Sequence, residues 1–233
     1  MIVFNGIEMT DVAPVKIDDI VVSPISLTPV ARQRAIAFGA DFVRMGGGSR
    51  TVTVTFALLD MDREARETSM QSLRDWARID GEYTLELPHF TNRHLECVCT
   101  KHPDTSFRKW WENRLQFTFT CYNNPYWTSN ELIEVPCGQS FSIGGSAPPI
   151  LTIERNGVTN LTNQIYSNGT ETMQFSTIPA GAFKIDLNKQ TAQIGTTSIM
   201  RYYVPTSTWI TPKIGAYQTI TGVGTVKYRE RWV

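Results

Sequence analysis

The chain has 233 residues, of which 41% are hydrophobic, 11% aromatic and 19% charged, so it can build a packed core and is not a disordered tail. Lysine plus arginine number 22, as do aspartate plus glutamate. The resulting net charge of zero gives no field that attracts nucleic acid or an anionic membrane, which argues against both partners. The length fits one large β domain or two smaller domains, and we expect two.

The N-terminus and the cysteines bear on the compartment. Residues 1–11 have neither the basic start nor the apolar run of a signal peptide, and no later stretch approaches the roughly 18 apolar residues of a membrane span. We therefore expect assembly in the cytoplasm, which is reducing. The cysteines are too few and too unevenly spread for a disulfide framework, which predicts four free thiols: Cys97, Cys99, Cys121 and Cys137.

A hairpin and a long strand are predicted in the first sixty residues. Asn5-Gly6 tolerates positive φ and predicts a type I′ turn between strands at residues 2–4 and 7–9. In Arg50–Leu58, valine and phenylalanine alternate with threonine, which is typical of a strand with one buried face. The stretch between these elements is punctuated by Pro14, Pro24 and Pro29.

One amphipathic helix is predicted at about residues 62–78. Asp60 or Asp62 can cap its start, and Gly81 is expected to end it. Because its apolar residues form a single stripe, the helix is expected to cover one side of a sheet or barrel. Alternation predicts three more strands, at residues 83–87, 95–99 and 115–120.

The second half is predicted to be all-β. The loop Asn123-Asn124-Pro125 and the polar run Thr128-Ser129-Asn130 mark a boundary that gives domains at residues 1–130 and 131–233. Strands of such length and spacing are typical of a two-sheet sandwich with a jelly-roll or related topology. The candidate strands lie at residues 150–154, 158–160, 172–175, 183–187, 191–194 and 223–228.

The glycine-rich run at residues 46–50 could in principle bind phosphate through its backbone amides. Gly46-Gly47-Gly48-Ser49-Arg50 lacks the Gly-Lys-Ser/Thr ending of a phosphate loop, and a strand follows it instead of a helix. We interpret it as a loop between strands. Arg44 and Arg50 bracket this loop and would suit contact with an acidic neighbouring subunit.

Cysteines and histidines cluster in the middle of the chain. A zinc site can be imagined there, but Cys-x-Cys in a flat strand separates the thiols by about two rises of 3.3 Å and does not wrap a metal as Cys-x-x-Cys does. Small buried core residues are the favoured interpretation. The residues concerned are Cys97, Cys99, His89, His94 and His102.

Several pairs of carboxylates are of the kind that a glycosidase uses as acid and base. Asp18 and Asp19 are expected to face opposite sides of an extended segment, and Asp60 and Asp62 fit the start of the helix. The sequence has no Gly-x-Ser-x-Gly elbow, and its three histidines lie in one short stretch. We therefore assign no catalytic, cofactor-binding or metal-binding residue. Glu131 and Glu134 form the last such pair.

Adjacent aromatic residues could stack on sugars or bases, but core packing and subunit contacts are commoner uses. In a strand, neighbouring side chains face opposite ways, which predicts one inward and one outward ring in each pair. The pairs are Trp110-Trp111, Tyr126-Trp127 and Tyr202-Tyr203.

Several local patterns resemble the distal tail protein (Dit) family of siphophages. In the first half they are Phe42-Val43-Arg44, the strand Arg50–Leu58, Leu73-Arg74-Asp75-Trp76, Gly81-Glu82-Tyr83-Thr84-Leu85, the run from Asn113 to Cys121, and Asn124-Pro125-Tyr126-Trp127. In the second half they are the run from Pro149 to Ile153, the run from Ile178 to Asp186, and the run from Val226 to Trp232. The family's usual Gly-x-Asn turn is replaced by Lys213-Ile214-Gly215-Ala216-Tyr217.

The resemblance implies a mainly β protein with one helix, in which a β-barrel-like ring domain precedes a galectin-like β-sandwich. It implies a non-enzymatic hexameric ring in the virion tail tip, between the tail tube protein and the tail-tip hub, with receptor-binding proteins as further partners. It implies no cofactor. Cyclic closure would also protect strand edges that are otherwise prone to aggregate.

Three other functions remain open. A galectin-like sandwich could bind a cell-wall sugar, but galectin-type sites use His, Asn, Arg and Trp close together, and histidine is absent after His102. A wall hydrolase is disfavoured because no acid and base are paired. A tube subunit or baseplate adaptor is a related tail protein and would be expected to have a similar fold.

Overall fold

In a computed structural model, the described residues are 1–26, 29–33, 40–45, 48–60, 62–103, 114–157 and 159–233. The chain divides into two compact units, Met1–Trp127 and Thr128–Val233. The fold is mainly β with one long helix, which confirms that part of the predicted fold class. None of the helices in these ranges is both long and apolar enough to cross a membrane.

The first unit is built on a seven-stranded antiparallel sheet in the order β3-β6-β9-β8-β7-β1-β2, beside a separate β4–β5 hairpin. Its helices are α1 (Met9–Val12) and α2 (Arg63–Ala77). Its strands are β1 (Val3–Phe4), β2 (Ile7–Glu8), β3 (Val15–Val22), β4 (Pro29–Gln33), β5 (Ala40–Met45), β6 (Arg50–Leu58), β7 (Tyr83–Glu86), β8 (Arg93–Lys101) and β9 (Leu115–Cys121). The short strand β10 (Trp127–Ser129) contains the division between the units.

The predicted N-terminal hairpin is confirmed. Asn5 and Gly6 have φ values of 52° and 75°, the positive values that a type I′ turn requires at both central residues. The turn pairs Phe4 with Ile7. The second strand is shorter than expected, because Met9 is not part of it and begins the one-turn helix α1.

The predicted strand at residues 50–58 is confirmed as β6, which lies between β3 and β9. Its burial alternates at every residue, and Val52, Val54 and Phe56 are fully buried. Val54 pairs with Phe117, and the Phe56 and Phe117 rings stack with their centroids 5.4 Å apart. This pairing fixes the centre of the first unit's core.

The predicted helix is confirmed as α2, and Asp62 is its N-cap. The Asp62 carboxylate accepts hydrogen bonds from the backbone N–H groups of Glu64 and Ala65, at 3.1 and 3.2 Å. The apolar stripe is buried as expected, at Met70, Leu73, Trp76 and Ala77. The helix ends at Ala77 with Arg78 as its C-cap, which agrees with the predicted end at about residue 78. The expected role of Gly81 as the stop was wrong, because Gly81, with a φ of 117°, lies in the loop beyond the cap.

Replacing Asp62 with alanine is expected to lower the free energy of unfolding by about 1 kcal/mol, since two N–H groups of the first helical turn lose their acceptor. Urea denaturation measures the change. Asp62→Asn is the matched control, because its side-chain oxygen can still cap the helix and should preserve most of the stability. Equal losses in both variants would mean that the cap is not the cause.

The proline-punctuated region contains strands that sequence periodicity missed, namely β3, β4 and β5. The prolines stand at the margins of these strands: Pro14 precedes β3, Pro24 follows it, and Pro29 is the first residue of β4. Proline lacks a backbone N–H and is tolerated at strand ends, so its presence did not exclude strands here. β3 also contains an irregularity between Ile17 and Asp19, which breaks its alternation.

The second unit has a main antiparallel sheet in the order β18-β17-β16-β13-β20-β11 and two small sheets, β12–β19 and β14–β15. A single turn of 3-10 helix lies at Met200–Tyr202. The strands are β11 (Ile133–Pro136), β12 (Ser140–Ser142), β13 (Ala147–Gly157), β14 (Leu161–Ser167), β15 (Thr172–Ile178), β16 (Gly181–Asp186), β17 (Thr191–Ile194), β18 (Thr197–Ser198), β19 (Tyr217–Thr219) and β20 (Thr225–Trp232).

Side chains from the main sheet and the small sheets share one hydrophobic core. Leu151 and Ile153 of β13 and Tyr166 of β14 are fully buried there, as are Met173 and Phe175 of β15. Five predicted strands overlap β13, β15, β16, β17 and β20, and β17 matches its predicted bounds.

The prediction of a strand at residues 158–160 was wrong for the two of these residues that the structure describes. Residue 158 lies outside the described residues, and Thr159 and Asn160 are not in a strand. The strand of this region, β14, begins at Leu161. Only Tyr166 is fully buried in β14, so the alternation that reveals a strand in sequence is weak.

Candidate functional surfaces

The glycine-rich segment does not form a surface site through Arg50. Gly46, Gly47 and the Arg44 side chain lie outside the described residues, while Gly48 is buried. Arg50 begins β6 and is only 4% exposed, and its Nε and Nη1 atoms have no hydrogen-bond partner among the described residues. Burial lowers the pKa of Arg50, against the opposing effects of Cys121 and Tyr126. The expected contact of Arg50 with a neighbouring subunit is therefore wrong, because its side chain is inside the unit.

The cysteines lie in or beside the cores, as predicted. Cys97 and Cys121 are buried, and Cys99 and Cys137 are half-buried; all four are free thiols. Burial raises the pKa of the Cys99 thiol and of the Cys137 thiol, each to about 11. Thiols with such pKa values are protonated at neutral pH.

The histidines do not gather around these thiols. His94 is buried on β8, and His89 is exposed in the preceding turn. His102 borders a depression of about 360 Å³ beside α2, which Gln71, Arg74, Asp75 and Arg78 also line. Its pKa is lowered by burial and by the charges of the two arginines. Within the described ranges no three His, Cys, Asp or Glu side chains are grouped to hold a metal ion.

The carboxylate pairs do not form an acid and base. Asp18 and Asp19 are both exposed, since the irregularity in β3 removes the alternation that was expected to separate their faces. Asp62 caps α2. Glu134 is not paired with Glu131, because its Oε1 atom lies 2.8 Å from Lys227 Nζ.

The aromatic pairs do not offer one outward ring each. Trp110 and Trp111 lie outside the described residues. Trp127 is buried and stacks on Phe90 with centroids 4.1 Å apart, while Tyr126 is half-buried. The expectation was wrong for Tyr202 and Tyr203, which are both half-buried against the second unit's core, because a 3-10 turn replaces the strand there.

The most exposed aromatic ring that the structure describes belongs to Tyr217, which sequence reasoning missed as a surface residue. Tyr217 is 83% exposed and follows Ile214, which is 39% exposed. Gln218 closes their loop: its Oε1 atom accepts from Lys213 N–H at 3.1 Å, and its Nε2 atom donates to Lys213 O at 3.0 Å. Gly215 N–H also donates to Ile143 O at 2.9 Å. The loop therefore presents an apolar tip in a fixed shape and is a candidate contact surface.

A charged depression of about 370 Å³ lies on the main sheet of the second unit. Lys184 Nζ lies 3.1 Å from Glu154 Oε1, and Lys227 Nζ lies 3.5 Å from Glu154 Oε2. Glu134 pairs with Lys227 as described above. Although partial burial alone would raise it, the pKa of Glu154 is held below its usual range by the hydrogen bond and charge of Lys184, with help from Lys227. Four side chains from four strands thus neutralise one another.

Glu154→Gln is expected to lower the free energy of unfolding by about 0.5 kcal/mol at pH 7, since two lysines lose a partly exposed partner. A carboxylate with a depressed pKa stabilises the fold above the ordinary glutamate pKa of about 4.3, and this stabilisation disappears as the pH falls through the folded-state pKa. The difference in the free energy of unfolding between wild type and variant should therefore disappear in acid. Urea denaturation across this pH range measures it.

Glu131→Gln is the control for that experiment, because Glu131 is an exposed carboxylate that pairs with no lysine in the part of the chain that the structure describes. It should change stability little at either pH. A gap for Glu154→Gln that persists unchanged in acid would contradict the assignment of its effect to charge.

The whole fold resembles that of a phage protein. It superposes on the crystal structure of SPP1 Dit (gp 19.1), described as a paradigm of the hub adsorption apparatus in phages that infect Gram-positive bacteria, with a TM-score of 0.75 and 13% sequence identity. The match covers 100% of this chain and 98% of that one. The chain has the Dit fold. This confirms the resemblance to distal tail proteins found in the sequence.

Two structures of the phage P2 baseplate in its activated conformation are also similar to the chain, at lower TM-scores. The one with Ca has a TM-score of 0.44 at 11% identity, covering 96% of this chain and 92% of that one. The one with Sr has a TM-score of 0.45 at 13% identity, covering 95% and 91%. No protein-family model and no curated protein sequence matches the chain.

Proposed function

We propose that the protein is a non-enzymatic structural component of a phage tail tip, which joins the tail tube to the hub and the host-contact proteins. The observation that carries this proposal is the Dit fold over the full chain, at a TM-score of 0.75. SPP1 Dit is described as part of a hub adsorption apparatus, and the shared fold favours a comparable place for this chain. The virion is its proposed location, after assembly in the host cytoplasm.

In this proposal, residues 1–130 form a β-barrel-like ring domain and residues 131–233 a galectin-like sandwich that faces outward. Six copies close a ring that contacts the tail tube protein on one side and the tail-tip hub on the other, with receptor-binding proteins as further partners. The net charge of zero favours close packing of copies, because it avoids self-repulsion. It also disfavours contact with nucleic acid or a membrane.

An open strand edge in the first unit supports ring formation. Among the described strands, β3 pairs with β6 alone, so the other edge of this eight-residue strand is open. Val21 on β3 is 54% exposed, and Ile20 and Val22 are half-buried. The end of this edge, from Ile20 to Val22, is apolar, and an apolar edge is an aggregation hazard unless another strand or subunit covers it. A neighbouring copy in a closed ring would provide that cover.

The solution mass of the purified chain, combined with negative-stain imaging, tests the proposal. The expected result is a closed ring of several copies around an open channel. A chain that stays monomeric at all concentrations and turns over a substrate such as peptidoglycan would contradict it.

Val21→Lys is expected to shift this ring toward monomers, because a charged side chain on an open edge opposes edge-to-edge association. Light scattering after size-exclusion chromatography measures the ring fraction, and a loss of at least tenfold in association constant corresponds to about 1.4 kcal/mol. Ile165→Lys is the matched control, since Ile165 is 47% exposed on β14 of the second unit. If both variants assemble like the wild type, β3 is not at the interface.

Sugar binding by the second unit stays an alternative prediction. The charged depression does not favour it. Four of its five charged side chains, all but Arg155, pair with one another, and Phe183, the aromatic residue in its lining, is buried. A stacking ring for a sugar is therefore missing from its described surface. A signal from the full chain on a glycan array would favour sugar binding over the structural role.

A further inference from the structure

Two buried cysteines of the first unit face each other on adjacent strands. The antiparallel register of β8 and β9 pairs Val98 with Thr120, so one step along it places Cys97 opposite Cys121. Both side chains are fully buried. Sequence spacing gave no sign of this pair, because the two residues belong to different predicted strands.

The spacing of the pair suits a covalent bond. Directly opposed residues in antiparallel strands have Cα atoms about 4.5–5.5 Å apart, within the roughly 4.4–6.8 Å that a disulfide spans. The two thiols are already hydrogen-bonded to each other, and this bond, together with burial, raises the pKa of Cys97. The pair is therefore in contact, yet both thiols remain free.

We propose that Cys97 and Cys121 are an oxidisable dithiol, which a small disulfide such as oxidised glutathione converts into a cross-strand disulfide of the folded unit once local opening of the strands exposes one thiol. One thiol attacks glutathione disulfide and releases one glutathione thiol; the second thiol then displaces the other glutathione. One S–S bond breaks, one S–S bond forms between β8 and β9, and the two protons end on the two glutathione thiols.

The other cysteines are poorly placed for this reaction. Cys99 lies opposite Phe119, and its Sγ atom donates to the carbonyl oxygen of Lys101 at 3.6 Å. Cys137 belongs to the second unit. The geometry thus selects one pair out of the four thiols.

The test uses the full chain, incubated with oxidised glutathione at pH 8.5 until its free-thiol count in denaturant is constant. The wild type is expected to fall from four free thiols to two. A count that stays at four would overturn the proposal, as would a fall caused only by glutathione adducts. Because this readout needs no substitution, it does not depend on whether a variant folds.

A second measurement identifies the bond. In the double variant Cys99→Ser with Cys137→Ser, trypsin should release residues 94–101 linked to residues 115–155, since each peptide then holds one cysteine. The linked pair should be absent when Cys121→Ser is added. Closing this loop is expected to raise the Tm of the oxidised double variant by about 5–10 °C. A linked peptide that appears only after denaturation would show that the native strands do not support the bond.

Discussion

Replacing Trp76 with alanine is expected to lower the free energy of unfolding by about 3–5 kcal/mol, the largest effect of any single substitution considered for the first unit. Trp76 is 6% exposed, on the inner face of α2. Its ring makes edge contacts with Phe4 and Phe117, each with centroids 5.8 Å apart. Its Nε1 atom also donates to the carbonyl oxygen of Ile7 at 3.1 Å. The side chain therefore joins the helix, the N-terminal hairpin and the central strands.

Urea denaturation followed by circular dichroism measures this loss without relying on the deleted fluorophore. Trp76→Phe separates the two contributions, because it keeps an aromatic ring and removes the N–H donor. We expect it to cost about 1–3 kcal/mol, for the unpaired carbonyl of Ile7 and the smaller ring. A Trp76→Ala variant as stable as the wild type would mean that α2 does not contribute to the core as described.

Replacing Gly222 with alanine is expected to destabilise the second unit by about 3–5 kcal/mol, through backbone strain and overpacking together. Gly222 has a φ of 137°, where side chains other than glycine are strained. A Cβ atom there would lie 2.3 Å from Cδ1 of Tyr166. Tyr166 cannot move aside easily, because it is fully buried and donates from its hydroxyl to Val223 O at 3.0 Å.

Gly138→Ala is the control that isolates the steric part. Gly138 also has a positive φ, of 92°, but a Cβ atom there would meet no atom of the described residues within 4 Å. It should cost only the backbone term, about 1–2 kcal/mol. Equal losses in the two variants, measured by differential scanning calorimetry, would remove the clash with Tyr166 as an explanation.

The sequence predicted those elements in which local pattern and tertiary environment agree. β6 alternates between a buried and a half-buried face, and α2 has a capping aspartate and one apolar stripe. β3 was missed because its irregularity breaks the period of two and prolines flank it. The strand near residue 160 was misplaced because only Tyr166 marks its buried face.

The candidate surfaces were harder to predict, because they arise from strand pairing between distant residues. Glu154 meets Lys184 and Lys227 through the pairing of β13 with β16 and β20, and no local motif announces such a cluster. Cys97 meets Cys121 in the same way. Conversely, Arg50 looked like a surface residue beside a glycine loop, yet the burial of β6 places it inside the unit.

The loop that Gln218 closes can keep its shape when the exposed side chain at its tip is substituted. The side-chain amide of Gln218 accepts one hydrogen bond from Lys213 and donates another to it, so the loop is already ordered. The loop would therefore lose little conformational freedom when a partner binds Tyr217. The residue that holds the loop, Gln218, is thus different from the residue that a partner would contact, Tyr217. Variation at Tyr217 can alter which surface is recognised, while Gln218 preserves the shape in which the tip is displayed.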